Sequence, residues 1–331
     1  MVISRTPFRV SFFGGGTDYP IWYKKNQGSI ISTSINKYSY VTCRYLPPFF
    51  DYNFRIRYTK QEYTNKISDI IHPSVRECLN YLKFKKGIEM QHNADLPAMS
   101  GLGSSSSFTV GFLNALYALR NQMVDKQKLA MDAIYVEQNL IGESVGSQDQ
   151  TISAYGGFNK IDFCDKHDIK VRPIIINEKR LNLLQNHLML FFTGFSRRAS
   201  NIAKTQIRMT PKKTKELNLM LKLVDEAYKI LMDSKFPIAE FGKLLDENWK
   251  IKKSLTTKIS NGIIDQIYNS AIKAGATGGK LLGAGGGGFM LFFVKPSYQK
   301  RVLQKLKKLL YVPFKFENYG SQIIYKMPDD F

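Results

Sequence analysis

The chain has 331 residues, of which 44% are hydrophobic, and this indicates a globular protein with a sizeable core and excludes a disordered chain. The formal net charge is +21 at pH 7, so the surface suits anionic partners such as phosphorylated small molecules, nucleic acid or a membrane surface. The three cysteines lack any Cys-x-x-Cys spacing, which disfavours a disulfide framework or a zinc site.

The N-terminal segment predicts two short strands followed by a glycine turn. Residues 2–5 and 9–13 have strand composition on either side of Thr6-Pro7, and three glycines follow at 14–16. Consecutive glycines let the backbone approach a ligand closely, and a simple tight turn is the alternative. Two arginines within this segment argue against a signal peptide, and no apolar run reaches transmembrane length. We therefore expect a cytoplasmic protein without membrane insertion.

A glycine-serine loop, residues 96–107, organises the middle of the chain. It follows β-rich stretches at 29–35, 38–45 and 87–91, and its sequence is LPAMSGLGSSSS. Apolar residues at 108, 112, 115, 116 and 119 then predict one face of an amphipathic helix, which Ser104 to Ser107 would cap. Free N–H groups at a helix N-terminus bind phosphate, although a turn that caps a core helix is the alternative. No Lys-Ser or Lys-Thr follows, so the loop is not a Walker A motif.

Two carboxylates follow the glycine-serine loop at informative positions. Glu137 shares an apolar row with Ala130, Ile134 and Ile141 on a predicted helix over 125–141. A carboxylate in such a place needs a cation, so it either forms a buried ion pair with a lysine or arginine or binds Mg²⁺. Asp149 comes twelve residues later, within Gly-Ser-Gln-Asp-Gln. It is either a second functional carboxylate or an ordinary helix cap.

The second half of the chain predicts a separate domain. A polar, helix-like stretch at 177–186 places the boundary, which gives domains of residues 1–180 and 181–331. Arg197 and Arg198 follow a buried strand at 188–193 and either bind an anion or are solvated, and helices are predicted over 217–231, 238–255 and 263–274. A second glycine loop, residues 283–288, satisfies Gly-x-Gly-x-x-Gly, but a strand follows it where a dinucleotide-binding turn requires a helix.

Three motifs, taken in chain order, resemble those of the GHMP kinases, the family of galactokinase, homoserine kinase, mevalonate kinase and phosphomevalonate kinase. Residues 7–10 and 14–19 match the first motif, the glycine-serine loop matches Pro-x-x-x-Gly-Leu-Gly/Ser-Ser-Ser, and the second glycine loop resembles the third. In galactokinases the magnesium-binding Glu and the catalytic Asp are separated by the same interval as Glu137 and Asp149 in this chain. The resemblance spans nearly the whole chain. It implies an α+β fold with an N-terminal domain like ribosomal protein S5 domain 2, a C-terminal ferredoxin-like domain, and an active site between them.

The resemblance also implies roles for individual residues. Asp149 would accept the proton of the acceptor hydroxyl, Arg9 would balance charge on the transferred phosphoryl group, and Ser105 and Glu137 would hold Mg²⁺. The ATP phosphates would be bound by Ser100, Gly101, Leu102, Gly103, Ser104, Ser105 and Ser106. The acceptor would be bound by Gly14, Gly15, Gly16, Thr17, Asp18, Arg44, Arg197, Arg198, Gly285 and Gly286. Galactokinases have Glu and His where this chain has Gly15 and Gly16, which leaves room for a different or bulkier sugar.

Within the family, the first motif and Gly-Ser-Gln-Asp-Gln look most like those of the D-glycero-D-manno-heptose 7-phosphate kinases. Those enzymes phosphorylate the anomeric hydroxyl and give the 1,7-bisphosphate, a precursor of nucleotide-activated heptose for surface polysaccharides. We therefore expect ATP, Mg²⁺ and a phosphorylated sugar as ligands, with no nucleic-acid partner. A fucokinase-type enzyme is the nearest alternative. An RNA-binding protein built on an S5-like module is a distant one, favoured only by the charge. The oligomeric state is open between a monomer and a homodimer.

Overall fold

The structure is a computed structural model, and it describes residues 1–165, 168–195 and 199–328. Its strands are β1 (Val2–Phe13), β2 (Gly28–Tyr45), β3 (Phe54–Arg57), β4 (Gln61–Thr64), β5 (Ile88–Ala94), β6 (Phe158–Phe163), β7 (Ile169–Pro173), β8 (Leu188–Phe192), β9 (Ala276–Leu281), β10 (Phe289–Val294), β11 (Leu310–Tyr311), β12 (Phe316–Glu317) and β13 (Gln322–Lys326). Its α-helices are α1 (Pro20–Tyr23), α2 (Pro73–Tyr81), α3 (Ser104–Leu119), α4 (Lys126–Tyr135), α5 (Gln148–Tyr155), α6 (Glu178–Asn186), α7 (Ala199–Met209), α8 (Thr214–Met232), α9 (Ala239–Leu255), α10 (Gly262–Ala274) and α11 (Pro296–Lys305). Within these ranges, none of the helices is both long and apolar enough to span a membrane.

The first sheet has the strand order β13-β1-β2-β5-β3-β4, and β6, β7 and β12 join it through β2 and β6. Its central strand β1 runs without interruption through Pro7, where the sequence predicts two short strands. The pairing with β13 ends at Arg5, and the register with β2 shifts between Pro7 and Phe8. Beyond Arg5, β2 is the only strand of the described residues that pairs with β1, and the irregular register accommodates a residue that has no N–H.

Helix α3 packs against β1 and β2 and fixes the end of the glycine-serine loop. Phe108, Phe112 and Leu116 lie in the hydrophobic core, as the apolar periodicity predicts. The helix approaches β1 so closely that a Cβ at Gly111 would lie 2.7 Å from Oγ1 of Thr6. Because both the helix and the strand are buried, their relative position is set by packing, and the loop before α3 is held in place with them.

The second sheet has the antiparallel order β11-β8-β10-β9, with α9 and α10 packed against β9. The structure confirms the helices predicted over 217–231, 238–255 and 263–274, which are α8, α9 and α10. Strands β12 and β13, at the end of the chain, return to pair with β2 and β1. The mixed α+β organisation is thus confirmed, and the division at residue 180 stays a prediction.

Candidate active site

The glycine-serine loop presents uncovered backbone N–H groups at the start of α3. The N-cap residue is Gly103, with φ 78°, and among the described residues no side chain caps the helix. The predicted capping by Ser104 to Ser107 is therefore wrong, and Oγ of Ser104 instead accepts the N–H of Met99 at 3.2 Å. Helix N-termini without a capping side chain keep their first N–H groups available for an anion.

The second glycine loop closes directly against the glycine-serine loop. A Cβ at Gly101 would lie 2.6 Å from the carbonyl oxygen of Leu282, and one at Gly283 would lie 2.5 Å from Cα of Gly101. In the same region the N–H of Phe289 donates to the carbonyl of Ser100 at 3.2 Å. Only glycine permits two backbones to approach in this way, so the second glycine loop covers one side of the glycine-serine loop.

Gly285 and Gly286, which the sequence assigns to the acceptor, contact the protein itself. A Cβ at Gly285 would lie 2.7 Å from Cα of Ile259, and the N–H of Gly286 donates to the carbonyl of Ile259 at 2.9 Å. The N–H of Gly286 is therefore already bonded within the fold, and the two glycines hold the second glycine loop against Ile259.

Arg9 and Asp149 form a bidentate ion pair beside the glycine-serine loop. Nε and Nη2 of Arg9 donate to Oδ1 and Oδ2 of Asp149 at 2.8 and 2.7 Å, and Nη1 donates to the carbonyl of Gly101 at 2.6 Å. Arg9 is only 3% exposed, whereas the side chain of Asp149 is 24% exposed. A bidentate pair fixes both groups in position, and the carboxylate still faces the solvent. The structure thus brings the two predicted catalytic residues together at the loop.

Asp18 links the first glycine turn, residues 14–16, to the segment that carries Asp149. Its Oδ1 accepts the N–H of Gly16 at 2.8 Å, and its carbonyl accepts the N–H of Ser147 at 3.0 Å. Burial raises the pKa of Asp18, the N–H of Gly16 opposes this rise, and the Asp149 carboxylate adds to it. Asp18 is therefore a buried acid in contact with the turn that precedes α1.

Gly14 and Thr17, also predicted to bind the acceptor, hold this turn against β2. A Cβ at Gly14 would lie 1.9 Å from the carbonyl oxygen of Ser29, and the Thr17 hydroxyl donates to the carbonyls of Gly14 and Ser29 at 2.8 and 3.1 Å. Because their contacts are used within the fold, these two residues shape the turn, and their role in binding an acceptor stays a prediction.

Glu137 is completely buried in a π-helical segment, Val136–Leu140, that continues α4. Its Oε2 accepts hydrogen bonds from Oγ of Ser106, at 2.8 Å, and from Nε2 of Gln150. Oε1 has no hydrogen-bond partner, and no lysine or arginine forms an ion pair with Glu137, in the described part of the chain. Burial and the nearby Glu143 carboxylate raise the pKa of Glu137 to about 7. An unpartnered buried carboxylate oxygen of this kind fits a divalent cation.

The hydroxyl beside Glu137 belongs to Ser106 and not to Ser105, which the sequence pairs with it. Ser105 lies one residue earlier and its side chain is exposed at the start of α3. Its role as a magnesium ligand stays a prediction. The π-helical segment had no signal in the sequence, because the apolar row around Glu137 is equally compatible with a continuous α-helix.

Of the three arginines predicted to anchor a substrate phosphate, the structure describes Arg44 alone, and it lies away from the site. Arg44 is bonded to Glu89 at 2.6 Å, and its neighbour Cys43 pairs with Val2, seven residues along β1 from Arg9. At about 3.3 Å per residue this separation is ~23 Å, so the assignment of Arg44 to the site is wrong. Arg197 and Arg198 lie outside the described residues.

Two buried lysines near the site were missed by the sequence analysis. Nζ of Lys252 donates to the carbonyl of Gly283 at 2.5 Å, and Nζ of Lys280 donates to the carbonyls of Ser11 and Phe12 at 2.9 and 2.8 Å. Burial, assisted by the charge of Arg9, lowers the pKa of Lys252 to about 8. Its position on the buried row of α9, three residues after Trp249, was a usable signal.

A cavity of about 380 Å³ opens between the β3–β4 hairpin and β5. The ring of His92, one of its lining residues, lies 4.9 Å from the ring of Phe108 in the first turns of α3. The cavity therefore lies beside the helix whose N-terminus carries the uncovered N–H groups. It is lined by Arg57, Tyr58, Thr59, Lys60, Gln61, Gln91, His92 and Asn93.

Known proteins are similar to this chain in both sequence and fold. The family models of the GHMP kinases N terminal domain and the GHMP kinases C terminal match residues 69–157 and 235–312. A D-glycero-alpha-D-manno-heptose 7-phosphate kinase from Campylobacter jejuni is 29% identical over 317 residues, which cover 92% of this chain and 93% of that protein. A bifunctional fucokinase/GDP-fucose pyrophosphorylase from Arabidopsis thaliana is 26% identical over 66% of this chain and 21% of its own length.

Among solved structures, a D-glycero-D-manno-heptose 1-phosphate kinase from Bacteriodes thetaiotaomicron superposes with a TM-score of 0.78. It is 23% identical and the match covers 99% of this chain and 100% of that one, which shows that the fold is shared. Both GHMP kinase domains are thus present, in the order that the motifs predict. The chain therefore belongs to the GHMP kinases and is an ATP-dependent phosphotransferase whose acceptor is a hydroxyl group.

Proposed function

We propose that this kinase phosphorylates the anomeric C1 hydroxyl of D-glycero-α-D-manno-heptose 7-phosphate and gives the 1,7-bisphosphate, in the cytoplasm, for nucleotide-activated heptose and surface polysaccharide synthesis. The similarity to the Campylobacter heptose kinase along nearly all of both chains supports this acceptor. The observation that carries the chemistry is the ion pair of Arg9 and Asp149 beside the uncovered N–H groups of α3.

In the proposed reaction, positioning and charge neutralisation lower the barrier. The N–H groups at the start of α3 bind the phosphates of ATP. The acceptor oxygen forms a bond to the γ-phosphorus as the bond between that phosphorus and the ADP oxygen breaks, and the hydroxyl proton passes to Asp149. Each oxygen of Asp149 accepts one hydrogen bond from Arg9 and keeps capacity for another. Arg9 orients the carboxylate and offsets negative charge next to it.

The same proposal assigns a magnesium site to Glu137. Among the described residues Oε1 of Glu137 has no partner, Ser106, the third residue of α3, donates to its Oε2, and the exposed Ser105 is the predicted third member. Mg²⁺ supplies positive charge that neutralises the phosphates of the nucleotide. Gln150 donates to Oε2 of Glu137, which would leave Oε1 as the oxygen available to a bound cation.

We assign the nucleoside of ATP to the cavity between the β3–β4 hairpin and β5. Its volume of about 380 Å³ is in the range of small-ligand sites, and its lining combines amide and aromatic side chains. The substrate phosphate is assigned to Arg197 and Arg198, on the sequence evidence that they follow the buried strand β8. Paired arginines suit phosphate because each guanidinium can bind two of its oxygens.

A coupled assay of ADP release, with a panel of acceptors and with Mg²⁺ present, tests the proposal. The panel contains heptose 7-phosphate, unphosphorylated heptose, fucose, galactose and mevalonate. We expect the highest kcat/KM with heptose 7-phosphate. The match to a fucokinase makes fucose the second candidate, and a higher kcat/KM for fucose than for the heptose phosphate contradicts the proposal.

A further inference from the structure

We propose that Lys252 is a positioning residue whose buried ammonium group holds the second glycine loop closed against the glycine-serine loop and so shapes the site for the ATP phosphates. None of the three sequence motifs contains this lysine, which lies on α9. The inference rests on the proposed function in one respect, namely that the glycine-serine loop binds the phosphates of ATP.

Lys252 is a cation in a place that packing alone would fill with an apolar side chain. It is 5% exposed and shares the buried row of α9 with Leu245 and Trp249. Within the described ranges no carboxylate forms an ion pair with it, and burial lowers its pKa to about 8. Moving a charge out of water costs free energy that only specific contacts offset. The contacts of the ammonium group therefore indicate what the cation is for.

The ammonium group bonds to backbone carbonyls on both sides of the bend where the second glycine loop begins. Nζ of Lys252 donates to the carbonyl of Leu281, the last residue of β9, at 3.3 Å, and to that of Gly283 at 2.5 Å. Gly283 has a φ of +72°, so the chain turns sharply here. Hydrogen bonds from a charged donor are stronger than neutral ones, and these two fix the first residue of the loop to α9.

Gly283 is also the residue at which the two loops touch. A Cβ on Gly283 would lie 2.5 Å from Cα of Gly101, so the two backbones are in direct contact. The carbonyl of Gly101 accepts the N–H of Nη1 of Arg9 at 2.6 Å, and Arg9 also holds Asp149. A continuous series of contacts thus leads from α9 to the ion pair. Without the ammonium group the bend at Gly283 is released, and its contact with Gly101 loosens.

Charged groups of the site act on the ammonium group from several elements. Burial and the guanidinium of Arg9 on β1 lower the pKa of Lys252, whereas the carboxylates of Asp18 and Asp149 raise it. Lys280 on β9 is a second buried cation, and burial and the charge of Lys252 lower its pKa. The phosphates of bound ATP would add negative charge and favour the protonated ammonium group. Binding of the nucleotide and closure of the loop therefore support each other.

The first test is hydrogen exchange of residues 282–289 in the absence of nucleotide. The N–H of Phe289 donates to the carbonyl of Ser100 at 3.2 Å, so the exchange of this amide reports contact between the two loops. In Lys252→Met we expect exchange in this segment to be at least about tenfold faster, which is the change that corresponds to one lost charge-assisted hydrogen bond.

Lys250→Met is the matched control for this measurement. Lys250 lies on the same helix, but its side chain is 69% exposed and pairs with Asp246 at 2.7 Å. The variant therefore makes the same chemical change without touching either loop. Its exchange over residues 282–289 and its kinetic constants should match those of the parent enzyme.

Steady-state kinetics supply the second test, with the acceptor that the parent enzyme phosphorylates best. In Lys252→Met we expect KM for ATP to rise about tenfold while KM for the acceptor stays within about twofold of the parent value. Lys252→Arg keeps a cation and should return KM for ATP to within about threefold of the parent value. A role in packing alone predicts the reverse order, because methionine suits the apolar row of α9 better than arginine does.

A folded Lys252→Met enzyme whose exchange over residues 282–289 stays within about twofold of the parent rate overturns the proposal, whatever its activity. Faster exchange with an unchanged KM for ATP also overturns it, because the loop would then not shape the nucleotide site. If ATP does not slow exchange of residues 100–106 in the parent, the proposed phosphate site is wrong, whereas the measurement without nucleotide still tests the contact made by Lys252. Lys252→Gln, which is neutral and too short to reach both carbonyls, replaces Lys252→Met in both tests should the latter fail to fold.

Discussion

Glu137→Gln should stabilise the metal-free protein at alkaline pH, although it removes the residue to which we assign the magnesium site. Glu137 is completely buried, and its Oε1 has no partner among the described residues. Above its raised pKa of about 7, the fold therefore encloses a negative charge that hydrogen bonds from Ser106 and Gln150 stabilise only in part and that no lysine or arginine of the described residues balances. A neutral amide of nearly the same shape carries no such charge at any pH.

The size and sign of the effect follow from proton linkage. A rise in pKa from 4.5 to about 7 corresponds to ~3 kcal/mol between the two protonation states. Because the folded-state pKa is the higher one, the contribution of Glu137 to stability is complete below its unfolded pKa and is lost as the pH rises through the folded-state value. The free energy of unfolding of the variant, relative to the parent, should therefore increase by about 2–3 kcal/mol between pH 5 and pH 8.5.

Urea unfolding of both proteins at pH 5 and pH 8.5, in the presence of EDTA, measures this difference. Glu240→Gln serves as the control, because Glu240 is 38% exposed and paired with Lys243 at the surface, and its difference from the parent should not change with pH. A difference for Glu137→Gln that stays within about 0.5 kcal/mol across the pH range contradicts the assignment of a buried, unpaired carboxylate.

Three further predictions concern the same region. Asp149→Asn should lower kcat about 10²- to 10⁴-fold and change KM for ATP little, and near-parental kcat in steady-state assays would exclude a general base at this position. Lys252 should lose its proton as the pH rises above about 8. We expect the kcat/KM of the enzyme to fall over the same pH range. Lys252→Met should lack this alkaline limb and Lys252→Arg should restore activity above pH 8, whereas superimposable pH profiles of parent and Lys252→Met would show that the loss of activity does not come from Lys252. Gly283→Ala should lower stability by about 1–2 kcal/mol and raise KM for ATP, because φ is +72° and the Cβ meets Cα of Gly101 at 2.5 Å. Calorimetry with Gly262→Ala as control checks this, and equal melting temperatures count against contact between the two loops.

Local patterns were enough to predict much of the fold. The apolar periodicity located α8, α9 and α10, and the strand after the second glycine loop distinguished it from a dinucleotide-binding turn. The spacing of Glu137 and Asp149 pointed to two residues that the structure links through α5, because Gln150, which follows Asp149, donates a hydrogen bond to Glu137. These features were accessible because each depends on residues close together in sequence.

The errors concern features that depend on tertiary contacts. By local rules Pro7 predicts a break in the strand. β1 nevertheless continues, because it stays paired with β2 and the shift in pairing register accommodates the proline. The serines after Gly103 resemble capping residues, yet the cap is a left-handed glycine that leaves the N–H groups uncovered. Glycine positions were also indistinguishable in sequence: Gly14 fills a tight backbone contact, whereas Gly15 borders open space.

The most direct test of the central claim is the position of the phosphate in the product. Heptose 7-phosphate, ATP and Mg²⁺ are incubated with the enzyme, and the product is examined by ³¹P NMR with correlation to the sugar protons. We predict two phosphate resonances, one of which couples to the anomeric proton, with one ADP formed for each sugar consumed. Asp149→Asn should give the same product far more slowly. A second phosphate that couples to any other proton, or no phosphorylation of this sugar, contradicts the proposed reaction.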